Sequence, residues 1–188
     1  FVPPISGLEN VKNVFTFMTI CDTLKLEKAI KKNSRVLIVG AGLIGLKCAE
    51  GLAGRVKEIT VCDLADKVLS SILDNECASI VKEKIEENGI KFMLSDSVEK
   101  FESANTAKMK SGKTVEFDVL VMAVGVRPNL SLLKEIGAEI NRGVKVNNKM
   151  ETSLPGIYAA GDLTEGHDIT SGGDKVMAIL PNAYMQGL

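Results

Sequence analysis

The fold is decided by the stretch SRVLIVGAGLIGLKCAEGLA, residues 34–53. Arg35–Val39 is an unbroken, β-branched-rich run, the composition of a strand covered on both faces. Gly40-Ala41-Gly42-Leu43-Ile44-Gly45 then interrupts it, and Leu43 to Ala53 carries a helical pattern. In such a turn the first glycine makes a tight exit from the strand. The second lets the backbone approach a pyrophosphate, and the third lets helix and strand pack closely. The amides after Gly42, beginning with Leu43 and Ile44, then face the phosphates, aided by about half a positive charge at the helix N-terminus.

A lone GxGxxG also marks ordinary turns, and a plain βα turn with a surface aspartate is the competing reading. The context favours a nucleotide: a strand before, a helix after, a second buried strand EITVCD (58–63), and Asp63 about twenty residues beyond the fingerprint. A carboxylate there accepts from the adenine ribose hydroxyls. Against a 2′-phosphate about 4 Å away it would meet repulsion of about 4 kcal/mol per unit charge. The following residues, Leu64, Ala65, Asp66 and Lys67, offer one flexible lysine and no arginine clamp. NAD(H) is therefore expected over NADP(H), on Gly40, Gly42, Leu43, Ile44, Gly45, Asp63, Leu64 and Lys67.

Beyond this stretch, ILDNECASIVKEKIEENG reads as a helix with Cys77, Ile80, Val81 and Ile85 on one face, stopped by Gly89. IKFML is a third strand. VEKFES, TAKMKSG and KTVEF are short and alternating, as in an antiparallel meander, and FDVLVMAVG (117–125) is a further buried strand. A short helix (SLLKEIG) and a small strand (VKVN) follow, and Val176 to Leu188 reads as helical around Pro181. The order predicts an α/β fold: a Rossmann-like parallel sheet of about four strands with a three-stranded antiparallel β-meander.

Composition narrows the classes. The 188 residues are 45% hydrophobic and 25% charged with a net charge of −1, so no basic surface invites nucleic acid. No apolar run is long enough to span a membrane, and FVPPISG lacks the form of a signal peptide, so a cytoplasmic protein is expected. Cys21, Cys48, Cys62 and Cys77 show no CxxC spacing, and with one histidine no metal site is expected. Four reduced thiols are the simplest reading. A chain that starts at Phe1 and stops at QGL reads as a piece of something longer.

Four stretches resemble the FAD- and NAD(P)-dependent pyridine nucleotide-disulfide oxidoreductases, more narrowly the NADH oxidase, coenzyme A-disulfide reductase, rubredoxin reductase and NADH-nitrite reductase group. VPPISGLENVKNVFTFMTICDTLKL resembles the connection leaving a first FAD segment. VGAGLIGLKCAEGL with VCDLADKVL resembles the NAD half-site, LVMAVGVRPN the loop closing the NAD domain, and TSLPGIYAAGD an FAD-domain motif. The resemblance implies that Val124 and Gly125 lie against NAD and that Asp162, beside Gly161, binds the ribityl chain of FAD. Pro128 would fix the exit of the closing loop. Val98 resembles a position whose backbone meets adenine, with a plain core valine as the rival.

On this resemblance residues 1–32 are a connection from an FAD-binding half, 33–150 the NAD-binding domain, and 151–188 part of the FAD domain. The implied protein passes hydride from NADH to FAD and on to an acceptor that the sequence leaves open. Its partner is the remaining FAD-binding half of the same polypeptide, and this portion alone is expected to turn nothing over. A non-catalytic redox sensor or interaction subunit is the alternative.

No residue qualifies as a catalytic acid, base or nucleophile. Lys47 stands where many relatives carry a glutamate; it either attracts a phosphate or snorkels from the first helical turn. His167, in LTEGHDITSGG, reads as an exposed loop residue. Met177, Ile179, Tyr184 and Met185 are expected to face the other half, leaving an apolar patch and a homodimer as an open question.

Overall fold

The chain joins its first sheet at an edge. In the computed structural model, which describes residues 2–188, a 3-10 turn (Leu8–Asn10) leads to β1 (Val14–Phe15), α1 (Ile20–Ala29), β2 (Arg35–Val39), α2 (Leu43–Leu52) and β3 (Glu58–Cys62). Then come α3 (Asn75–Glu86), β4 (Ile90–Met93), β5 (Val98–Ser103), β6 (Thr106–Met109), β7 (Thr114–Glu116) and β8 (Val119–Met122). These belong to a compact unit ending at Gly125. The second unit, Val126–Leu188, holds α4 (Ser131–Glu135), β9 (Val144–Lys145), β10 (Thr164–Asp168), β11 (Gly173–Val176) and α5 (Leu180–Gln186).

The first unit carries a parallel sheet ordered β1-β8-β2-β3-β4 and an antiparallel sheet β5-β6-β7. The parallel sheet has five strands where about four were expected. The addition, β1, is two residues long and too short to leave a periodic pattern; its partner Leu120 supplies the register to Val14.

The unbroken apolar strands have a simple cause, because successive side chains serve two cores. Val36 and Ile38 of β2, with Val119 and Val121 of β8, meet Cys48, Ala49 and Leu52 of α2. Leu37 and Val39, with Leu120 and Met122, meet the meander through Phe101, Ala107 and Met109. Phe101 and Phe117 close that second core edge to face, 5.8 Å apart at 78°.

Local signals set the helices. In α1 the Thr19 hydroxyl accepts from Asp22 N–H and the Asp22 carboxylate accepts from Thr19 N–H, a reciprocal capping box. Asp74 caps α3 through Cys77 N–H at 2.8 Å. The buried stripe of α3 differs from the expected one: Ala78 is buried and Val81 and Ile85 partly so, whereas Cys77 and Ile80 face solvent. Small Ala78 allows close approach to the sheet, which apolar spacing alone could not reveal. At the opposite end of the sheet Asp118 ties β8 to β2, accepting from Arg35 N–H at 2.8 Å and from its guanidinium at 2.9 and 3.2 Å. That guanidinium holds Asp118 below the ordinary carboxylate range.

In the second unit β10 pairs with β9 in parallel and β11 in antiparallel fashion. Two expectations are corrected here. His167 lies within β10, paired with Asp174, because the chain turns back at Gly172, whose φ is +71°, to form a hairpin. Val176 ends β11, and the terminal helix starts only at Leu180, with Pro181 in its first turn.

Glu165 is the organising polar group of this unit. Nearly fully buried, its carboxylate accepts from Gly143 N–H (3.0 Å), Asn141 Nδ2 (2.9 Å) and Arg142 N–H (2.8 Å). The Gly143 amide holds its pKa down, burial opposes, and Asn141 and Arg142 add to the lowering. A folded-state value below the unfolded one stabilises above the unfolded pKa and is lost as pH falls through the folded value. Acid titration of wild type should therefore show stability declining below about pH 4.3. Glu165→Gln should flatten that limb and cost about 1–3 kcal/mol at neutral pH in a urea melt.

Cys48 and Cys62 are buried, and desolvation raises both thiols to about 12, with Asp63 and Asp96 adding to the effect at Cys62. Cys21 and Cys77 are exposed. A disulfide-exchange reagent at neutral pH should label exposed Cys21 rapidly, Cys77 more slowly because Asp74 beside it raises its thiol pKa, and Cys48 and Cys62 only on unfolding.

Candidate functional site

The glycine turn is shaped by what its Cα atoms touch. Gly40 has φ of +116°, and a Cβ there would drive into the Ala123 carbonyl of the strand exit after β8. A Cβ on Gly45 would drive into the Gly40 carbonyl. These two glycines let turn, helix and sheet close on one another. Gly42 is different: it is exposed, and a Cβ there would meet nothing within 4 Å. As N-cap of α2 it offers no side-chain acceptor, so the first-turn amides lack a capping side chain. Exposed Leu43 and half-buried Ile44 follow. The result is an open, amide-lined ledge at a helix N-terminus, able to receive an anionic group.

Asp63 lies beside this ledge, half-buried. Its Oδ2 accepts from Ala41 N–H at 2.6 Å and its Oδ1 from Ala65 N–H at 2.8 Å. Each oxygen retains a lone pair for a further donor such as a ribose hydroxyl. Leu64 is 67% exposed, and the Lys67 ammonium turns away to Asn75 Oδ1 at 2.8 Å. Ala41 is engaged twice, since its carbonyl accepts from Leu69 N–H at 3.0 Å. Sequence reasoning passed over Ala41, because both contacts are made by its backbone and leave no mark in residue type. Asp96 was also missed: buried, it accepts from Ser97 N–H, Ser111 N–H and Ser111 Oγ, fixing the loop after β4.

The other expected residues of this unit divide. Half-buried Val124 and exposed Gly125, at φ of +89°, follow Ala123 out of the sheet. Val98 is 5% exposed, its side chain within the second core. Lys47 is exposed and bonds Glu50 at 2.7 Å along the outer face of α2.

The second unit carries Gly161 and Asp162. Gly161 has φ of +85°, and its N–H donates to Gln186 Oε1 at 2.7 Å, anchoring the loop to α5. Thr164 Oγ1 reinforces it through the Gly161 carbonyl and Gln186. Asp162 is exposed and lines a cleft of about 540 Å³ with Arg127, Pro128 and Asn129. A solvent-facing carboxylate at a concave wall fits an acceptor for polyol hydroxyls. Gln186 gave no sequence signal. Among the described residues no group of three or more His, Cys, Asp or Glu is placed to hold a metal ion, and no helix is long and apolar enough to cross a membrane.

Comparison with known proteins agrees with this fold. The family model for pyridine nucleotide-disulphide oxidoreductases matches residues 1–187. The NADH oxidase of Methanocaldococcus jannaschii is 40% identical over 192 residues, covering 100% of this chain and 43% of that protein. The NAD(P)H nitrite reductase of Bacillus subtilis is 34% identical over 175 residues, covering 92% and 22%. The crystal structure of reduced Bacillus anthracis CoADR-RHD superposes with a TM-score of 0.92 at 32% identity, covering 100% of this chain and 34% of that one. The chain thus spans less than half the length of the curated relatives it matches.

The glycine contacts separate two kinds of position. Gly45→Ala should cost about 1–3 kcal/mol by forcing α2 off the turn. Gly42→Ala, into open space but at an N-cap where glycine is preferred to alanine, should cost no more than about 1 kcal/mol, a fall of at most about 4 °C in the thermal midpoint of a calorimetric scan.

Proposed function

The chain belongs to the pyridine nucleotide-disulphide oxidoreductase family, and from that premise we propose that it is the NAD(H)-binding portion of a flavin-dependent oxidoreductase. The observation that carries this reading is the open ledge at Gly42, set between two glycines that cannot bear a Cβ and flanked by the Asp63 carboxylate. A pyrophosphate would lie over Gly42, Leu43 and Ile44, held by amide N–H groups and the helix dipole. The adenine ribose would donate to Asp63. Val124 and Gly125 would border the nicotinamide side, and Gly125, with open space around its Cα, permits close approach.

When bound, nicotinamide supplies hydride, FAD accepts it, and this portion of the chain contributes position and charge. Asp162 would hold the FAD ribityl chain by accepting from its hydroxyls, with Gln186 keeping the Gly161 turn in place. The remaining FAD-binding half would come from the same polypeptide, and electrons would leave through surfaces beyond these residues. Lys47 takes no part in this reading, because its ammonium is satisfied by Glu50 at the surface.

Asp63 supports NADH over NADPH by repulsion of a 2′-phosphate, with Lys67 committed to Asn75. Calorimetric titration should find NADH bound at least about tenfold more tightly than NADPH, the gap narrowing as salt is raised. Gly42→Ala, which spares the fold, should weaken both nucleotides. Equal affinity for the two, or an unaffected Gly42→Ala, contradicts this arrangement.

A further inference from the structure

The hydrogen bonds around Ala41 join two tasks usually treated apart. Ala41 sits inside the phosphate turn, between Gly40 and Gly42, yet both its backbone groups are bound by the segment that follows β3. Its N–H donates to Asp63 Oδ2 at 2.6 Å, and its carbonyl accepts from Leu69 N–H at 3.0 Å. That segment is itself fixed. The Asp63 carbonyl accepts from Asp96 N–H at 3.0 Å, the Ala65 carbonyl from Ser95 N–H at 2.8 Å, and Val68 is fully buried. Leu69 is held at φ of +50°, a conformation uncommon for a non-glycine residue that persists here under these constraints.

A short bond from a backbone amide to a carboxylate is charge-assisted and stronger than a neutral one. No side chain of the turn can replace it, because Gly40 and Gly42 have none and Ala41 ends in a buried methyl.

We propose that Asp63 is a positioning residue for the phosphate turn, acting through Ala41, in addition to its expected part as ribose acceptor. This rests on the nucleotide-binding reading above. It has a consequence that simple charge gating lacks. If Asp63 only repelled a 2′-phosphate, removing its carboxylate would relieve repulsion and tighten NADPH. If it also anchors the turn, removal loosens the ledge on which either pyrophosphate must lie, and NADPH gains nothing. The Asp63→Asn variant would differ from both wild type and Asp63→Ala, since its one amide oxygen can accept from Ala41 N–H or from Ala65 N–H, but not both, and carries no charge.

The test pairs amide hydrogen exchange on the ligand-free chain with titration of NADH and NADPH, for wild type, Asp63→Ala and Asp63→Asn. In Asp63→Ala the Ala41 amide should exchange at least about tenfold faster. The Gly40 amide, bonded to the Cys62 carbonyl at 2.8 Å, should stay protected and so report an intact sheet. Both nucleotides should weaken in Asp63→Ala, whereas Asp63→Asn, with its oxygen on Ala41 N–H and Ala65 N–H released, should restore part of the Ala41 protection and bind NADPH more tightly than Asp63→Ala does.

Unchanged Ala41 exchange in Asp63→Ala overturns the proposal, as does tightened NADPH binding in that variant. Should Asp63→Ala not fold, Asp63→Asn decides. Retained Ala41 protection with relaxed discrimination supports the anchor, as does weakened binding of both nucleotides when Ala41 protection is lost, whereas affinity unchanged while that protection is lost opposes it. If wild type binds neither nucleotide, the functional reading fails, while the exchange measurement still decides whether Asp63 anchors the turn.

Discussion

The close approach of three backbone segments at Gly40 governs the first unit. The Gly40 Cα lies against the Ala123 carbonyl, and the Gly45 Cα against the Gly40 carbonyl. Any side chain at either position would separate α2 from β2, or β2 from the exit of β8. Because these contacts are made by backbone, they permit no repacking by rotamer change. The amide ledge, the start of α2 and the departure of Val124 and Gly125 inherit their positions from this point.

A second pattern recurs in both units: carboxylates complete the backbone where it leaves regular structure. Asp22 and Asp74 accept from amides at helix starts. Asp118 accepts at the start of β2, Asp63 and Asp96 at the turns after β3 and β4, Glu165 behind β9, and Asp168 in the hairpin that joins β10 to β11. A buried amide left without a partner would cost about 1–3 kcal/mol, so irregular segments of this length need such acceptors. The acidic residues thereby act as ordering elements dispersed through the chain, in keeping with its near-neutral net charge.

Much of this was legible in the sequence, for identifiable reasons. Residues 34–53 fixed a strand, turn and helix because composition and glycine spacing agree there, and the meander was visible through its alternation and turns. β1 was not, since two residues carry no period and its place depends on Leu120, more than a hundred positions away. The face of α3 was misjudged because small Ala78, rather than Ile80, approaches the sheet. His167 was read as loop because its strand is polar and takes its register from Asp174 across a glycine hairpin. Gly40, Gly42, Gly45 and Asp63, which the structure brings together around one turn, could be named from spacing. The engagement of Asp63 with Ala41 could not, since a backbone donor leaves no trace in side-chain chemistry.

The strand order also governs when the ledge can exist. β2, β3 and β4 are neighbours in sequence and can pair as soon as residue 93 is available, but β8 inserts between β1 and β2 and supplies Ala123. Loop closure over some eighty residues is slow compared with local pairing. A chain emerging from synthesis would thus carry the helices and three strands of this unit before its glycine turn had a floor. β1 would wait as well, having β8 as its sheet neighbour. The amide ledge in this architecture is a property of the finished sheet, acquired when its last strand is seated.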